Sequence, residues 1–173
     1  MKHIVISGDR GVGKSTLIKH LTEKLNGPVS GFITKKIKNE DGIGNIYIFP
    51  AQIPEKDRVC TEENCVGSCI DGKMLSRNTQ VFEKKGVEIL DKIPKDARLI
   101  VMDELGFLEK DAVTFQKKVL ECLDADTAVL AAIKTKDNEF LTAIREHKNV
   151  CVYEINEQNR DELAEKLGQI IAM

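Results

Sequence analysis

Residues 8–16 read Gly-Asp-Arg-Gly-Val-Gly-Lys-Ser-Thr, directly after the apolar run His-Ile-Val-Ile-Ser at 3–7. The stretch fits G-x-x-x-x-G-K-[ST], the spacing of a phosphate-binding loop. Glycine this dense weakens any helix or strand, so the bare backbone must serve another purpose. Gly8, Gly11 and Gly13 let the chain curl until successive N–H groups point at phosphate oxygens. A helix starting near Lys14 adds the positive end of its dipole. On this reading Gly8, Asp9, Arg10, Gly11, Val12, Gly13, Lys14, Ser15 and Thr16 together hold a polyphosphate. Lys14 reaches the β- and γ-phosphates, Ser15 gives its hydroxyl oxygen to Mg²⁺, and Thr16 sits near the α-phosphate.

A second constellation is Leu-Ile-Val-Met-Asp-Glu-Leu-Gly at 99–106. A buried strand there delivers Asp103 and Glu104 to its carboxyl end. Asp103 would hold the Mg²⁺ shell, and Glu104 would orient or deprotonate an attacking water. Neighbours in a regular strand face opposite ways, so a twist at the strand end is needed for both acids to enter one site. The bland alternative is two solvated acids at a strand terminus. Asp103 to Gly106 also fits the D-x-x-G of switch GTPases. Their base-reading N/T-K-x-D is missing, because in Thr135-Lys136-Asp137 the aspartate comes one position early. That argues against a dedicated GTPase and leaves the base open.

The elements that must position these residues can be read from periodicity. Residues 3–7, 98–104, 127–133 and 150–155 are short apolar runs suited to buried parallel strands. Leu17, Leu21 and Leu25 mark one helical face, closed by Asn26-Gly27-Pro28. Residues 29–37 and 44–50 are β-rich around Asn39–Gly42, a hairpin signal. Residues 51–75 look irregular and hold three cysteines. Residues 79–93 (with Phe82, Ile89 and Ile93 for burial), 110–123 and 137–147 suit helices. The last helix carries Leu163, Leu167 and Ile170 after an N-x-x-E spacing at Asn159 and Glu162. Strand–helix alternation predicts an α/β fold of three layers, a mostly parallel sheet with helices on both faces and a β-hairpin insertion. Ligands in such sheets bind at the carboxyl ends of the strands.

Composition sets the frame. The 173 residues, 42% hydrophobic and 31% charged, suit one domain over 1–173 with a real core. A net charge of -2 provides no field for nucleic acid or an acidic membrane. The opening residues 1–11 lack the apolar stretch and cleavage site of a leader, so a cytoplasmic protein is expected. Five cysteines, an odd number, argue against a secreted disulfide scaffold.

With these motifs in place, the chain resembles the small THEP-type nucleoside-triphosphatases of the P-loop superfamily. The resemblance rests on GDRGVGKST, on SGFITKKI in the place of a G-F-x-T strand, on DELGFLE at 103–109 and on VYEINEQNRDEL at 152–163. It implies a RecA-like core and Mg²⁺-dependent hydrolysis of several nucleoside triphosphates to diphosphate and phosphate. Carried over by position, Lys14 and Glu104 are catalytic, and Ser15 and Asp103 serve the metal. Glu109 matches a second acid, and Asn159 and Arg160 match N-R-D; the alternatives are a helix N-terminal charge and a helix cap. Lys35 and Lys36, and the segment CTEENCVGSCIDG at 60–72, depart from the family pattern.

Several readings compete at this stage. Cys60, Cys65 and Cys69 are ordinary thiols, a metal site lacking a fourth ligand, or a redox pair. His3, His20 and His147 lie far apart and are expected at the surface or an edge. Arg10, Arg77, Arg145, Arg160 and Lys134 are candidates for the cation that neutralises a transferring phosphoryl group. The function is that of a hydrolase of nucleoside triphosphates. A small-molecule kinase with residues 51–77 as a lid bearing Lys56, Arg58, Lys73 and Arg77 is one alternative, and a nucleotide-dependent switch with an unknown protein partner is another.

Overall fold

The apolar runs become strands because nothing charged interrupts them until their ends. In a computed structural model describing residues 3–172, they form β1 (His3–Ser7), β6 (Leu99–Leu105), β7 (Ala128–Ile133) and β8 (Val150–Glu154). Met1 and Lys2, which open the stretch read for a leader, and Met173 lie outside the described residues. Two further strands, β2 (Val29–Lys38) and β3 (Gly44–Pro50), pair antiparallel. The helices are α1 (Lys14–Glu23), α2 (Thr79–Val81), α3 (Val87–Asp91), α4 (Val113–Asp124), α5 (Glu139–Arg145) and α6 (Arg160–Ala172).

One segment departs from expectation. Residues 51–75 are not irregular throughout: β4 (Cys65–Ile70) and β5 (Lys73–Arg77) form an antiparallel pair there. Asp71 and Gly72 both take positive φ, 45° and 81°, which is what a two-residue hairpin turn demands. The Asp-Gly signal was legible, but β5 is an edge strand exposed along its whole length, so it carries no apolar alternation.

The sheet runs β5-β4-β3-β2-β6-β7-β1-β8. The strands from β2 to β8 in that order are parallel, and β3, β4 and β5 extend the sheet antiparallel from β2. Alternation along the parallel strands sends Ile4, Ile6, Val101 and Leu130 to one face, where α1 and α6 cover them with Leu17, Leu21, Leu163 and Leu167. Val5, Ile100, Met102 and Val129 go to the other, under α3, α4 and α5. There Phe115 packs against Phe32 and Phe82, ring centroids 5.3 and 5.1 Å apart.

The helix expected over 79–93 is continuous only as α2, a π-helical turn at Phe82–Gly86, and α3. Gly86 sits in that turn because Phe115 packs onto it; a Cβ there would lie 2.7 Å from Phe115 Cδ2. Ile170, expected on the buried face of α6, is exposed. Asn159 braces the turn before α6 instead of capping by the expected box: its Oδ1 accepts from Asn156 N–H and its Nδ2 donates to Glu154 O. His3 is buried, not at the surface. Its Nε2 donates to Leu123 O (2.9 Å), its Nδ1 accepts from Val129 N–H (3.2 Å), and burial holds its pKa below the usual value.

Candidate active site

The loop between β1 and α1 turns through Gly11 and Gly13, with φ of 84° and 105°, angles that side-chain-bearing residues rarely adopt. Gly8 is required for a different reason: a Cβ there would lie 2.7 Å from Ile155. Lys14 opens α1 and is buried, yet its ammonium is fully engaged. It donates to Gly8 O (2.7 Å) and Asp9 O (2.8 Å) and pairs with Glu104 Oε2 (3.2 Å). The Asp9 carboxylate accepts from the Thr135 hydroxyl (2.8 Å), tying the loop to the end of β7. The loop from Arg10 to Thr16 and Glu104 enclose a recess of about 280 Å³.

Glu104 lines this recess, and Asp103 reaches Ser15 at its edge. The register of β6 against β7 shifts between Asp103 and Leu105, so the strand bulges at Glu104. That bulge supplies the twist the alternation rule required. Asp103 accepts a hydrogen bond from the Ser15 hydroxyl at 3.0 Å. Burial pushes its carboxyl up to about 6, against the pull of that hydroxyl, and the neighbouring Glu104 charge adds to the rise. Ser15 and Asp103 thus offer two hard oxygen donors side by side, the kind of partial set that a hydrated Mg²⁺ completes with waters and phosphate oxygens.

Glu104 is held from three sides. Its backbone N–H donates to Thr34 Oγ1 (3.3 Å), and its carboxylate lies between Lys14 and Lys134, with Lys134 Nζ 3.4 Å from Oε1. Lys134 is itself positioned. Its N–H donates to Leu105 O (3.1 Å), the Arg145 guanidinium donates to its C=O (2.6 Å), and its stem packs against Gly106. Of the five cations considered from sequence, Lys134 is the one that meets Glu104. Arg77 pairs with Asp111 and lies over Phe107, Arg145 works through the Lys134 backbone, and Arg160 lines a recess between α1 and α6. Arg10, in the loop itself, lines a cleft beyond Glu104. The expected lid cations are occupied elsewhere: Lys56 lies exposed in a short 3₁₀ turn, Arg58 donates to Ile53 O, and Lys73 and Arg77 belong to the edge strand β5.

Glu109 is buried beneath the turn after β6, where its carboxylate accepts from Gly106 N–H. Burial pushes it up to about 7, opposed by that N–H. It precedes α4 by a turn and braces the loop, rather than standing as a charge on a helix start. Thr16 and His20 line a further recess of about 450 Å³ with Arg160, on the side of the loop away from Glu104. Val12 packs against the core. All five cysteines are free thiols, and among the described residues no three His, Cys, Asp or Glu side chains cluster to hold a metal. Thr34 and Arg145 were missed as positioning residues. Thr34 lies in the quoted G-F-x-T strand, whereas nothing in the sequence marks Arg145.

Known proteins resemble this chain in sequence and in fold. The sequence model of the NTPase family matches residues 3–168. The nucleoside-triphosphatase THEP1 of a Thermotoga species (strain RQ2) is 30% identical over 170 residues, 97% of this chain and 94% of that one. The protein of the same name from Methanocaldococcus jannaschii is 30% identical over 177 residues, 98% and 97% of the two chains. The fold is similar to the crystal structure of THEP1 from Aquifex aeolicus, with a TM-score of 0.77 at 24% identity over 99% of each chain. It is also similar to the solution structure of a human cancer-related nucleoside triphosphatase, with a TM-score of 0.70 at 22% identity over 99% and 97% of the two chains.

Proposed function

The chain belongs to the NTPase family, a family of hydrolases, and from that premise we propose that it cleaves the β–γ anhydride of nucleoside 5′-triphosphates with Mg²⁺, releasing diphosphate and phosphate. The observation that carries this reading is Glu104 held between two ammonium groups, Lys14 at 3.2 Å and Lys134 at 3.4 Å, at the mouth of the phosphate loop. The Glu104 carboxylate pairs with both lysines. A triphosphate tail entering the loop competes for the Lys14 ammonium and frees Glu104 Oε2. That oxygen then accepts a proton from water lined up behind the γ-phosphoryl group. Lys134, on the far side of Glu104, faces the charge that develops as the anhydride breaks.

Ser15 and Asp103 would hold Mg²⁺, which supplies neutralisation of phosphate charge when bound. Asp103, drawn toward protonation by burial, is a ligand that a divalent ion would keep ionised. Gly8 to Thr16 wrap the phosphates, and the recess at Thr16, His20 and Arg160 takes the nucleoside. In that recess His20 and Arg160 offer stacking and charge to any base, which supports broad use of ATP, GTP and others.

We read residues 1–173 as one domain with a RecA-like parallel core, to which β3, β4 and β5 are added as a hairpin insertion. A cytoplasmic setting fits five free thiols, and the partner is the nucleotide, not nucleic acid or membrane. Phosphate release from a panel of nucleotides with Mg²⁺, wild type against Lys14→Ala, tests the proposal. Release by the wild type from several triphosphates, lost in the variant, is expected; equal release by both would overturn it.

A further inference from the structure

Beyond Glu104 the nucleotide recess continues into a cleft of about 300 Å³. The part of that room at Ser15, Glu104 and Lys134 belongs to the phosphoryl group and its attacking water, which fills about 30 Å³, whereas hydrolysis makes no use of the part walled by Lys36, Ile46, Cys69 and Met74. Sites for small molecules begin at about 300 Å³.

The far wall of this cleft is the antiparallel arm. Phe32, Thr34 and Lys36 alternate onto one face of β2. Pairing carries that face across the sheet: Ile48 lies opposite Thr34, Ile46 opposite Lys36, and Cys69 opposite Met74. At its inner end the row is core, with Phe32 and Ile48 fully buried. At its outer end Lys36, Ile46, Cys69 and Met74 line the cleft. Arg10 of the phosphate loop and Phe107 of the turn after β6 complete the walls.

The charges in the cleft are unbalanced. Glu104 is matched by Lys14 and Lys134, and the Glu109 carboxylate is turned to Gly106 N–H. Arg10 and Lys36 remain, and among the described residues neither pairs with a carboxylate. They stand beside apolar surface that is itself half exposed, Met74 at 42% and Phe107 at 50%. Unpaired cations next to exposed apolar side chains suit a ligand with one anionic group and an apolar skeleton.

We propose that this cleft binds a small alcohol carrying a carboxylate or phosphate, and that the site transfers the γ-phosphoryl group to its hydroxyl. The proposal rests on the triphosphate reading given above. The hydroxyl oxygen forms a bond to Pγ while the bond from Pγ to the β-phosphate oxygen breaks. The hydroxyl proton passes to the Glu104 carboxylate, and the nucleoside diphosphate leaves with the bonding pair. The products are a phosphate ester and the diphosphate, and Glu104 later returns its proton to solvent. With the cleft empty, water takes the hydroxyl's place and hydrolysis results.

The test uses γ-labelled ATP with Mg²⁺ and three probes at millimolar concentration: 3-phenyllactate, glycerol 2-phosphate, and 3-phenylpropionate, which has no hydroxyl. We expect label in an ester of at least one of the two alcohols. We expect 3-phenylpropionate to slow phosphate release about fivefold while accepting no label. Lys36→Ala and Met74→Trp should lower ester formation at least tenfold and leave phosphate release in plain buffer within twofold. No label in either alcohol while phosphate release proceeds overturns the transfer proposal and leaves the hydrolase reading intact. So does transfer that survives in both variants. Absence of both phosphate release and nucleotide binding in plain buffer overturns the hydrolase reading and this proposal with it.

Discussion

Lys14 is a buried cation whose acceptors are two backbone carbonyls and one carboxylate. A substrate anion can replace the carboxylate, whereas alanine leaves the phosphate tail facing carbonyl oxygens. Lys14→Ala should therefore abolish turnover and weaken nucleotide binding by roughly tenfold to a hundredfold, the loss of one charge-assisted contact of ~1.5–3 kcal/mol; equilibrium binding of a fluorescent nucleotide measures it. Glu104→Gln keeps the shape but accepts no proton. Nucleotide affinity should stay within a few-fold while the hydrolysis rate falls by about 10²–10⁴, and turnover at the wild-type rate would remove Glu104 from the role given to it. Lys134→Ala removes the second cation beside Glu104, so kcat should drop by about 10²–10³ with little change in binding. Arg145→Ala, which frees the Lys134 carbonyl and also breaks the pair with Asp137, should have a smaller effect in the same direction.

Two elements decide whether those residues meet, β2 and β6. They pair at Gly31 and Val101, where the Gly31 φ is 96° and a Cβ would lie 2.1 Å from Val101 O. Val101 is two residues before Asp103, so any separation of the strands there is felt at Asp103 and at Thr34, which holds the Glu104 backbone. Gly31→Ala should destabilise the protein by about 3 kcal/mol or more, combining positive-φ strain with a backbone clash. A lower midpoint in urea unfolding checks this, and an unchanged midpoint would show that the strands can yield. At Gly86 the obstruction is the Phe115 ring, a side chain that can shift, so Gly86→Ala should cost less.

At the scale of the whole molecule, buried titratable groups make stability depend on pH. Glu109 is raised from 4.5 to about 7 by burial. Below pH ~4.5 it is protonated folded and unfolded alike, and as pH rises the unfolded chain gives up its proton first. Folding stability should then fall between pH ~4.5 and ~7, by roughly 3 kcal/mol from this group. Asp103 adds in the same direction in metal-free protein. His3 acts oppositely: burial favours its neutral form, so its contribution is lost as pH falls below 6.5. Urea unfolding of metal-free wild type and Glu109→Gln at pH 5 and 7.5 separates these effects. The variant retains an acceptor for Gly106 N–H and should show a flatter profile; equal slopes would remove Glu109 as the source.

The sequence by itself determined the glycine loop between β1 and α1, the parallel strands on either side of it and the acid pair at the end of β6, because these signals are local. Glycine spacing, uninterrupted apolar runs and a charged strand end need no knowledge of what packs against them. The hairpin of β4 and β5 was hidden because an exposed edge strand has no buried face to impose a period. Which cation joins Glu104, which holds Lys134, and why His3 and Glu109 are buried depend on contacts between residues far apart in the chain. Such contacts are set by how the sheet's carboxyl edge is closed, and spacing along the chain carries no record of that closure.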